Sequence, residues 1–186
     1  MLLTNHVLSG ALTGALCRRP LPAFAAGVAS HFVLDALPHW GQWGSEQRFL
    51  RVAVPDGLVG LAVMGAFAAV SPPERRLAVL AGMTGAALPD IDKPTRLWFG
   101  WSPFPGPVNR FHTRIQHEAP RRAHIELLAA GAFAGAALVA LRGSKKGGSK
   151  KGGSKKGGSK KGGSKKGGSK AAAASAGRSW PPDRRA

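Results

Sequence analysis

Five apolar segments separated by polar connections place the strongest constraint on the fold of this chain. The third and fifth contain 19 residues each, close to the roughly 20 that a helix needs to cross a bilayer. The other three are shorter or polar at one end, so each can be a tilted span, a re-entrant helix or a buried helix. The pattern predicts an all-α fold, a multi-pass helical integral membrane protein with about four to five hydrophobic helices. The segments cover residues 2–17, 21–38, 52–70, 77–92 and 123–141.

Small residues recur inside these segments at the spacing that close helix packing uses. In a membrane, such pairs let two helix backbones approach each other, because no bulky side chain separates them. We therefore expect tight helix crossings here, although a glycine- and alanine-rich composition can also reflect a GC-rich genome. The pairs are Gly10 and Gly14, Gly82 and Ala86, and Gly131 and Gly135.

The C-terminal part of the chain has a different composition. From residue 143 the sequence repeats Gly-Ser-Lys-Lys-Gly five times and then begins a sixth copy. Residues 143–186 carry 14 Lys and Arg against 1 acidic residue, whereas residues 1–142 carry 13 against 8. Lysine repulsion and glycine entropy oppose a packed core. The sequence thus predicts a helical membrane domain over 1–142 and a disordered cationic tail over 143–186.

The tail also predicts partners and an orientation. Each lysine near an anionic lipid headgroup contributes about 1 kcal/mol, and non-specific nucleic-acid binding is the alternative. No aromatic residues are interleaved with the lysines, so we expect no specific nucleic-acid site. If all five segments cross, the tail shares its face with short arginine-rich turns, which the positive-inside rule predicts to be cytoplasmic. Six basic residues in 93–122 favour the opposite orientation.

The stretch SHFVLDALPHW carries ionisable groups within an apolar segment. His31, Asp35 and His39 recur at every fourth residue, so on a helix they lie along one slowly drifting stripe. Burying such groups unpaired is costly, and a metal ion is one way to compensate. The alternative is a helix end at which Asp35 and His39 reach headgroups or water. Cys17 is the only cysteine, which excludes a cysteine-based metal site.

A second motif, Leu88-Pro89-Asp90-Ile91-Asp92, closes the fourth segment. Pro89 should end or kink the helix. In an extended backbone Asp90 and Asp92, two residues apart, point the same way. Paired carboxylates suit divalent cations, and histidine nitrogens favour zinc or manganese over magnesium.

The alternating topology places eight Asp and His residues toward the same membrane face. Polar residues gather at helix ends in any membrane protein, but that tendency does not explain a shared side. The pattern therefore favours convergence on one site. The residues are His6, Asp35, His39, Asp56, Asp90, Asp92, His112 and His117.

These motifs resemble the membrane-bound metal-dependent hydrolases (the YdjM-like family) over roughly residues 1–120. The resemblance is carried by His6, by Pro89-Asp90-Ile91-Asp92 and by His112 and His117. The segment FHTRIQHE departs from the family pattern, because it lacks the family's glycine and terminal serine. The resemblance implies a multi-pass bacterial membrane protein with metal-dependent hydrolase activity.

Three functions remain open from the sequence. In a hydrolase, the metal ligands would be His31, Asp35, His39, Asp90 and Asp92, with His6 and His112 as candidates to complete the set. His117 or Glu118 would transfer a proton, and Arg110 or Arg114 would bind an anionic substrate such as a phosphoester or a lipid headgroup. The alternatives are a non-catalytic protein with structural polar pairs, and a proton relay or transporter that uses Asp35, Asp56 and the histidines. Asp56 is otherwise explained as a carboxylate at a helix N-terminus.

Overall fold

The computed structural model describes residues 1–41 and 44–148, and these residues are mostly helical. All five apolar segments are helical, as predicted. A 3₁₀ turn over Leu88–Ile91 follows α4, and a two-residue parallel pair joins β1 to β2. The elements are α1 Leu3–Cys17, α2 Pro20–Ala36, β1 His39–Trp40, α3 Glu46–Val70, α4 Pro73–Ala87, α5 Asp92–Phe99, α6 Gly106–Ile115, β2 Glu118–Ala119 and α7 Ala123–Gly148.

The prolines set several of the helix boundaries. Helices α2 and α4 begin at Pro20 and Pro73, where the missing N–H costs nothing. Helix α2 ends at Ala36 because Pro38 disfavours a helical Leu37. Helix α4 gives way to the 3₁₀ turn before Pro89, which confirms the predicted helix end.

The connection over residues 93–122, interpreted from the sequence as a long loop, contains helices. It comprises most of α5, all of α6 and strand β2. Both helices are short, and both leave large apolar side chains exposed, including Trp98, Phe99 and Phe111. The loop interpretation was wrong because both helices are short and polar on average, so no apolar block marks them, although their apolar residues do recur with a helical period.

Helix α1 lies at the centre of the packing and contacts α2, α3, α4 and α7. Its closest neighbour is α4. A Cβ atom added at Gly10 would lie 2.6 Å from the Cα of Met83, and one at Gly14 would lie 2.5 Å from the Cα of Val79. The predicted tight crossing at Gly10, Gly14 and Gly82 is confirmed. Gly131 and Gly135 face open space, so the same prediction for α7 was wrong.

Helices α3 and α7 are long and apolar enough to cross a membrane. Only 11% of the apolar window of α3 and 17% of that of α7 is buried, whereas a core helix of a soluble protein would be mostly covered. Helices α1, α2 and α4 contain 15, 17 and 15 residues. They extend about 22–26 Å, less than the roughly 30 Å of bilayer hydrocarbon. The structure therefore supports two candidate spans among the described residues.

A buried arginine links three helices on the side away from the His and Asp residues. Arg75 is 4% exposed, and its Nη1 donates to the carbonyl oxygens of Ala15 at 3.0 Å and Ala140 at 3.2 Å. The Ala15 carbonyl lies near the C-terminus of α1, where a cation is favourable, and the Ala140 carbonyl lies within α7. Arg75 thereby links α4 to both helices.

Helix α7 continues to Gly148, past the predicted start of the tail at residue 143. Residues 149–186, with most of the lysine repeat, lie outside the described residues. Disorder of the tail, its binding to anionic lipid and its cytoplasmic orientation therefore stay predictions.

We expect Gly82→Val to destabilise the protein by about 1–3 kcal/mol or more, because the added side chain overpacks the α1–α4 crossing. Thermal unfolding of the detergent-solubilised full chain measures the effect. Gly135→Val is the matched control, since a Cβ at Gly135 meets nothing within 4 Å. Equal unfolding temperatures for the two variants would contradict the close crossing.

Candidate metal centre

The carboxylate of Asp35, near the end of α2, is the centre of a buried polar cluster. Its Oδ2 lies 3.1 Å from His31 Nε2 and 3.0 Å from His112 Nε2. Its Oδ1 lies 3.1 Å from His6 Nε2 and 3.1 Å from the Met1 nitrogen. Four elements meet here, because α1, α2, α6 and the turn after α4 each contribute a residue. The predicted convergence of His6, Asp35, Asp90 and His112 is thus present in the structure.

The tautomer of His31 follows from its other nitrogen. His31 Nδ1 lies 2.8 Å from the carbonyl oxygen of Ala86. Because a carbonyl can only accept, Nδ1 carries a proton and donates it. In the neutral ring Nε2 then presents a lone pair toward the Asp35 carboxylate. Two facing acceptors at 3.1 Å require a cation or a second proton between them.

Four side chains offer ligand atoms that all lie within 4.8 Å of one another: His31, Asp35, Asp90 and His112. Asp90 Oδ1 lies 3.8 Å from His31 Nε2 and 3.6 Å from His112 Nε2, and the two Nε2 atoms are 3.0 Å apart. Ligand bonds of about 2.0–2.1 Å give a tetrahedron with edges of roughly 3.4 Å. Five of the six separations among these atoms are 3.0 to 3.8 Å and bracket that edge, and the sixth, between Asp35 and Asp90, is at most 4.8 Å. The group can therefore hold a metal ion.

Two further side chains position the candidate ligands. The ring of His6 stacks on that of His31 with centroids 4.0 Å apart, and Gln116 Nε2 donates to Asp35 Oδ2 at 3.3 Å. His6 is fully buried, and neither ring nitrogen makes a hydrogen bond of good geometry among the described residues, although Nε2 lies 3.1 Å from Asp35 Oδ1. Polar groups of this kind around a site orient the ligands and restrict their rotation.

The two aspartates of the Pro-Asp-x-Asp motif separate, contrary to the prediction that both point the same way. The backbone there is a 3₁₀ turn followed by α5, not an extended segment. Asp90 faces the histidines and Lys93, whose Nζ lies 2.8 Å from Asp90 Oδ1. Asp92 instead pairs with Arg96, with Nε 3.5 Å from Oδ2.

Lys93 is a basic residue at the edge of the cluster. Burial lowers the pKa of Lys93, but the neighbouring Asp90 carboxylate outweighs burial and leaves that pKa raised above its ordinary value. The side chain is 34% exposed, so a cation is held at the boundary between the buried carboxylates and the surface.

His39 does not lie on the helical stripe that was predicted for it. Helix α2 has ended by this point, and His39 pairs with Glu118 in the β1–β2 ladder. Its Nδ1 bonds the carbonyl oxygen of Leu37 at 2.8 Å, and burial lowers the pKa of the imidazole. His39 is therefore buried beside the cluster, outside the group of four candidate ligands.

Of the residues predicted to transfer protons or bind substrate, Arg110 and Arg114 lie on α6, Glu118 lies in β2 and His117 lies between these two elements. The side chains of His117, Arg110 and Arg114 are exposed, and Glu118 is half-buried. The backbone of His117 is closer to the site, because its N–H donates to the carbonyl oxygen of Asp35 at 3.2 Å. Catalytic roles for these side chains stay predictions.

Asp56 and Glu126 hold the start of α1 in place. Asp56 accepts hydrogen bonds from the backbone N–H groups of Leu3 at 2.6 Å and Thr4 at 3.2 Å. Glu126, on α7, accepts from the Leu2 N–H at 3.1 Å and from Asn5 Nδ2 at 2.6 Å. Helix α1 has no capping side chain of its own, so two carboxylates from other helices satisfy its N-terminal donors.

Sequence reasoning missed Lys93, Gln116 and Glu126. The spacing of Gln116, four residues after His112 on the helix that ends there, was a usable signal for a shared face. Glu126 gave no local signal, because its partners lie more than 80 residues away. Comparison of the chain with models of protein families, with curated proteins and with solved structures finds no match. The likeness to the metal-dependent hydrolases thus rests on the motifs alone.

We expect Asp56→Ala to lower the free energy of unfolding by about 1–2 kcal/mol, because the first N–H groups of α1 lose their acceptor. Unfolding of the detergent-solubilised full chain measures this loss. Glu46→Ala, at the exposed start of α3, is the control. A variant of unchanged stability that had lost proton transport would instead favour the relay in which Asp56 carries protons.

Proposed function

We propose that this protein is a multi-pass membrane protein with a metal-dependent hydrolase site built on His31, Asp35, Asp90 and His112. The observation that carries the proposal is the His31 ring. Its Nδ1 is committed to the Ala86 carbonyl at 2.8 Å, and its Nε2 faces a buried carboxylate and a second imidazole. A cation bound between His31 Nε2 and the Asp35 carboxylate would accept the lone pairs of both, so that the two acceptors no longer face each other unpaired. Two nitrogens and two carboxylate oxygens suit zinc or manganese better than magnesium.

The membrane location is supported by the exposed apolar surface. Large apolar side chains on α3, including Leu58, Val59 and Leu61, are 50% or more exposed. An aqueous surface rarely carries so continuous an apolar strip, and a bilayer covers it without cost. Candidate spans α3 and α7 would cross the bilayer, and the shorter helices would pack between them.

Residues of this chain can orient the candidate metal ligands and bind an anionic substrate, as hydrolysis requires. A divalent ion in such a site supplies water activation near neutral pH. Gln116 donates to one oxygen of Asp35, the His6 ring lies against the other, and the Ala86 carbonyl fixes the His31 tautomer. Lys93 presents a cation beside Asp90, where it can bind an anionic substrate group such as a phosphoester. The reaction class is the one that the family resemblance implies.

A non-catalytic polar network is the second candidate, and a specific observation favours it. The Met1 nitrogen lies 3.1 Å from Asp35 Oδ1, and Lys93 Nζ lies 2.8 Å from Asp90 Oδ1. These cations, with a doubly protonated His31, can balance both carboxylates without a metal. In that case the cluster stabilises the helix ends and carries out no reaction.

Elemental analysis of the purified full chain separates the two candidates. We expect near-stoichiometric zinc or manganese in the wild type and its loss in Asp90→Ala. Asp92→Ala is a matched control two residues away, because Asp92 pairs with Arg96 outside the cluster. Absence of metal after reconstitution with a panel of divalent ions would contradict the hydrolase and leave the polar network.

Activity gives the second test. We expect hydrolysis of a phosphoester substrate that depends on added zinc or manganese and disappears in Asp90→Ala. Lys93→Gln should raise KM for an anionic substrate more than it lowers kcat, because it removes a binding cation. Loss of kcat alone in Lys93→Gln would contradict the assignment of Lys93 to substrate binding.

A further inference from the structure

A large apolar cavity adjoins the cluster. Its volume is about 940 Å³, and its walls come from α3, the end of α4 and α5, together with the start of the chain and the two short strands. Asp90 and Lys93 line it, so the cavity and the cluster share a residue. Most of the other walls are apolar, including Leu50, Val54 and Leu61.

From these observations, and resting on the proposed function, we propose that the cavity binds the acyl chain of a bilayer phospholipid whose phosphate lies at Lys93 beside Asp90. The substrate class of the site is then a membrane phospholipid rather than a water-soluble phosphoester.

The dimensions of the cavity fit this occupant. Along α3 the lining residues run from Phe49 to Met64, a length of about 22 Å of helix. One leaflet of bilayer hydrocarbon is about 15 Å thick, so the cavity can contain one acyl chain over the depth of a leaflet. A small soluble phosphoester would leave most of this apolar wall in contact with water.

The position of the cavity favours a lipid over a soluble protein partner. Its α3 wall is a candidate membrane span, and Leu58 and Leu61 are 64% and 65% exposed. In a bilayer the cavity therefore opens beside acyl chains.

The cavity is lined by two basic side chains, Lys93 and Arg96, and by three acidic ones, Asp56, Asp90 and Glu118, so the phosphate of a lipid would contact the basic pair. Lys93 is the cation closest to the cluster, 2.8 Å from Asp90 Oδ1. An anionic phosphate at Lys93 has the apolar wall on one side and the candidate ligands on the other. The headgroup bonds of the lipid are thereby placed within reach of the candidate metal centre.

Native mass spectrometry of the detergent-purified full chain, with added dioleoyl phosphatidylglycerol, tests the proposal. We expect a lipid adduct with the wild type and a several-fold loss of that adduct in Gly57→Phe. Gly57 lines the cavity, and a Cβ there meets nothing within 4 Å, so the ring can fill the space without a backbone clash. Gly65→Phe is the matched control, because Gly65 is on the same helix, equally open and outside the lining.

A headgroup comparison tests the placement of the phosphate. Lys93→Gln should weaken binding of dioleoyl phosphatidylglycerol several-fold and leave binding of dioleoylglycerol, which has no phosphate, unchanged. Arg121→Gln, on an exposed residue outside the cavity, should change neither. Equal weakening of both lipids in Lys93→Gln would overturn the placement of the phosphate.

Metal content and unfolding temperature, measured on the same samples, separate the possible failures. If Gly57→Phe does not fold, Leu58→Trp fills the cavity from an exposed neighbouring position. If Gly57→Phe or Leu58→Trp folds and still binds lipid as the wild type does, the proposal is overturned. It is also overturned if the wild type is a dimer that either variant dissociates, because a second copy of the chain would then occupy the cavity. Bound lipid without metal would contradict the proposed hydrolase but not the acyl-chain cavity. Bound metal without bound lipid would contradict the acyl-chain cavity but not the proposed hydrolase.

Discussion

The buried carboxylate of Asp35 is the interaction on which the rest of the structure depends. A carboxylate with no exposed surface is costly unless charged or hydrogen-bonding groups surround it. Here His6 and His31 come from the inner helices, and His112 and Gln116 come from α6. Even the backbone takes part, because the Asp35 carbonyl accepts from the His117 N–H. The start of α1, the end of α2 and the segment after α5 are therefore fixed relative to one another by a single charged group.

Such a cluster needs helices that approach closely, and the glycines of α1 and α4 provide this. At Gly10, Gly14 and Gly82 the backbones are so near that any Cβ would collide with the neighbouring helix. The crossing of α2 and α4 is equally close, since a Cβ added at Gly27 or Gly85 would also collide with the facing backbone, and it brings the Ala86 carbonyl within 2.8 Å of His31 Nδ1. Because that bond orients the ring, the small residues of the packing interface also determine which nitrogen faces the carboxylates. The close packing of the helices therefore also sets the orientation of the His31 imidazole in the candidate metal site.

Much of this arrangement is predictable from the sequence, for clear physical reasons. The apolar segments give the five main helices, because an apolar segment of this length must bury its backbone polar groups in a helix. Pro89 gives the end of α4, because it cannot continue the hydrogen-bond ladder. The convergence of His6, Asp35, Asp90 and His112 follows from helices that alternate in direction. His39 does not lie on the predicted stripe, because Pro38 favours an extended Leu37 and α2 has ended before His39.

What the sequence by itself determined is therefore the set of helices, their ends and the polar groups that gather where those ends meet. Only the tertiary structure decided which of these groups face one another. The 3₁₀ turn rotates Asp90 toward the histidines and Asp92 away from them, and no local pattern distinguishes the two. Likewise, Glu126 reaches Asn5 across 121 positions of the chain. Periodicity specifies the face of a helix on which a residue lies, whereas contacts between elements depend on the crossing of helices, which the shapes of all their side chains set together.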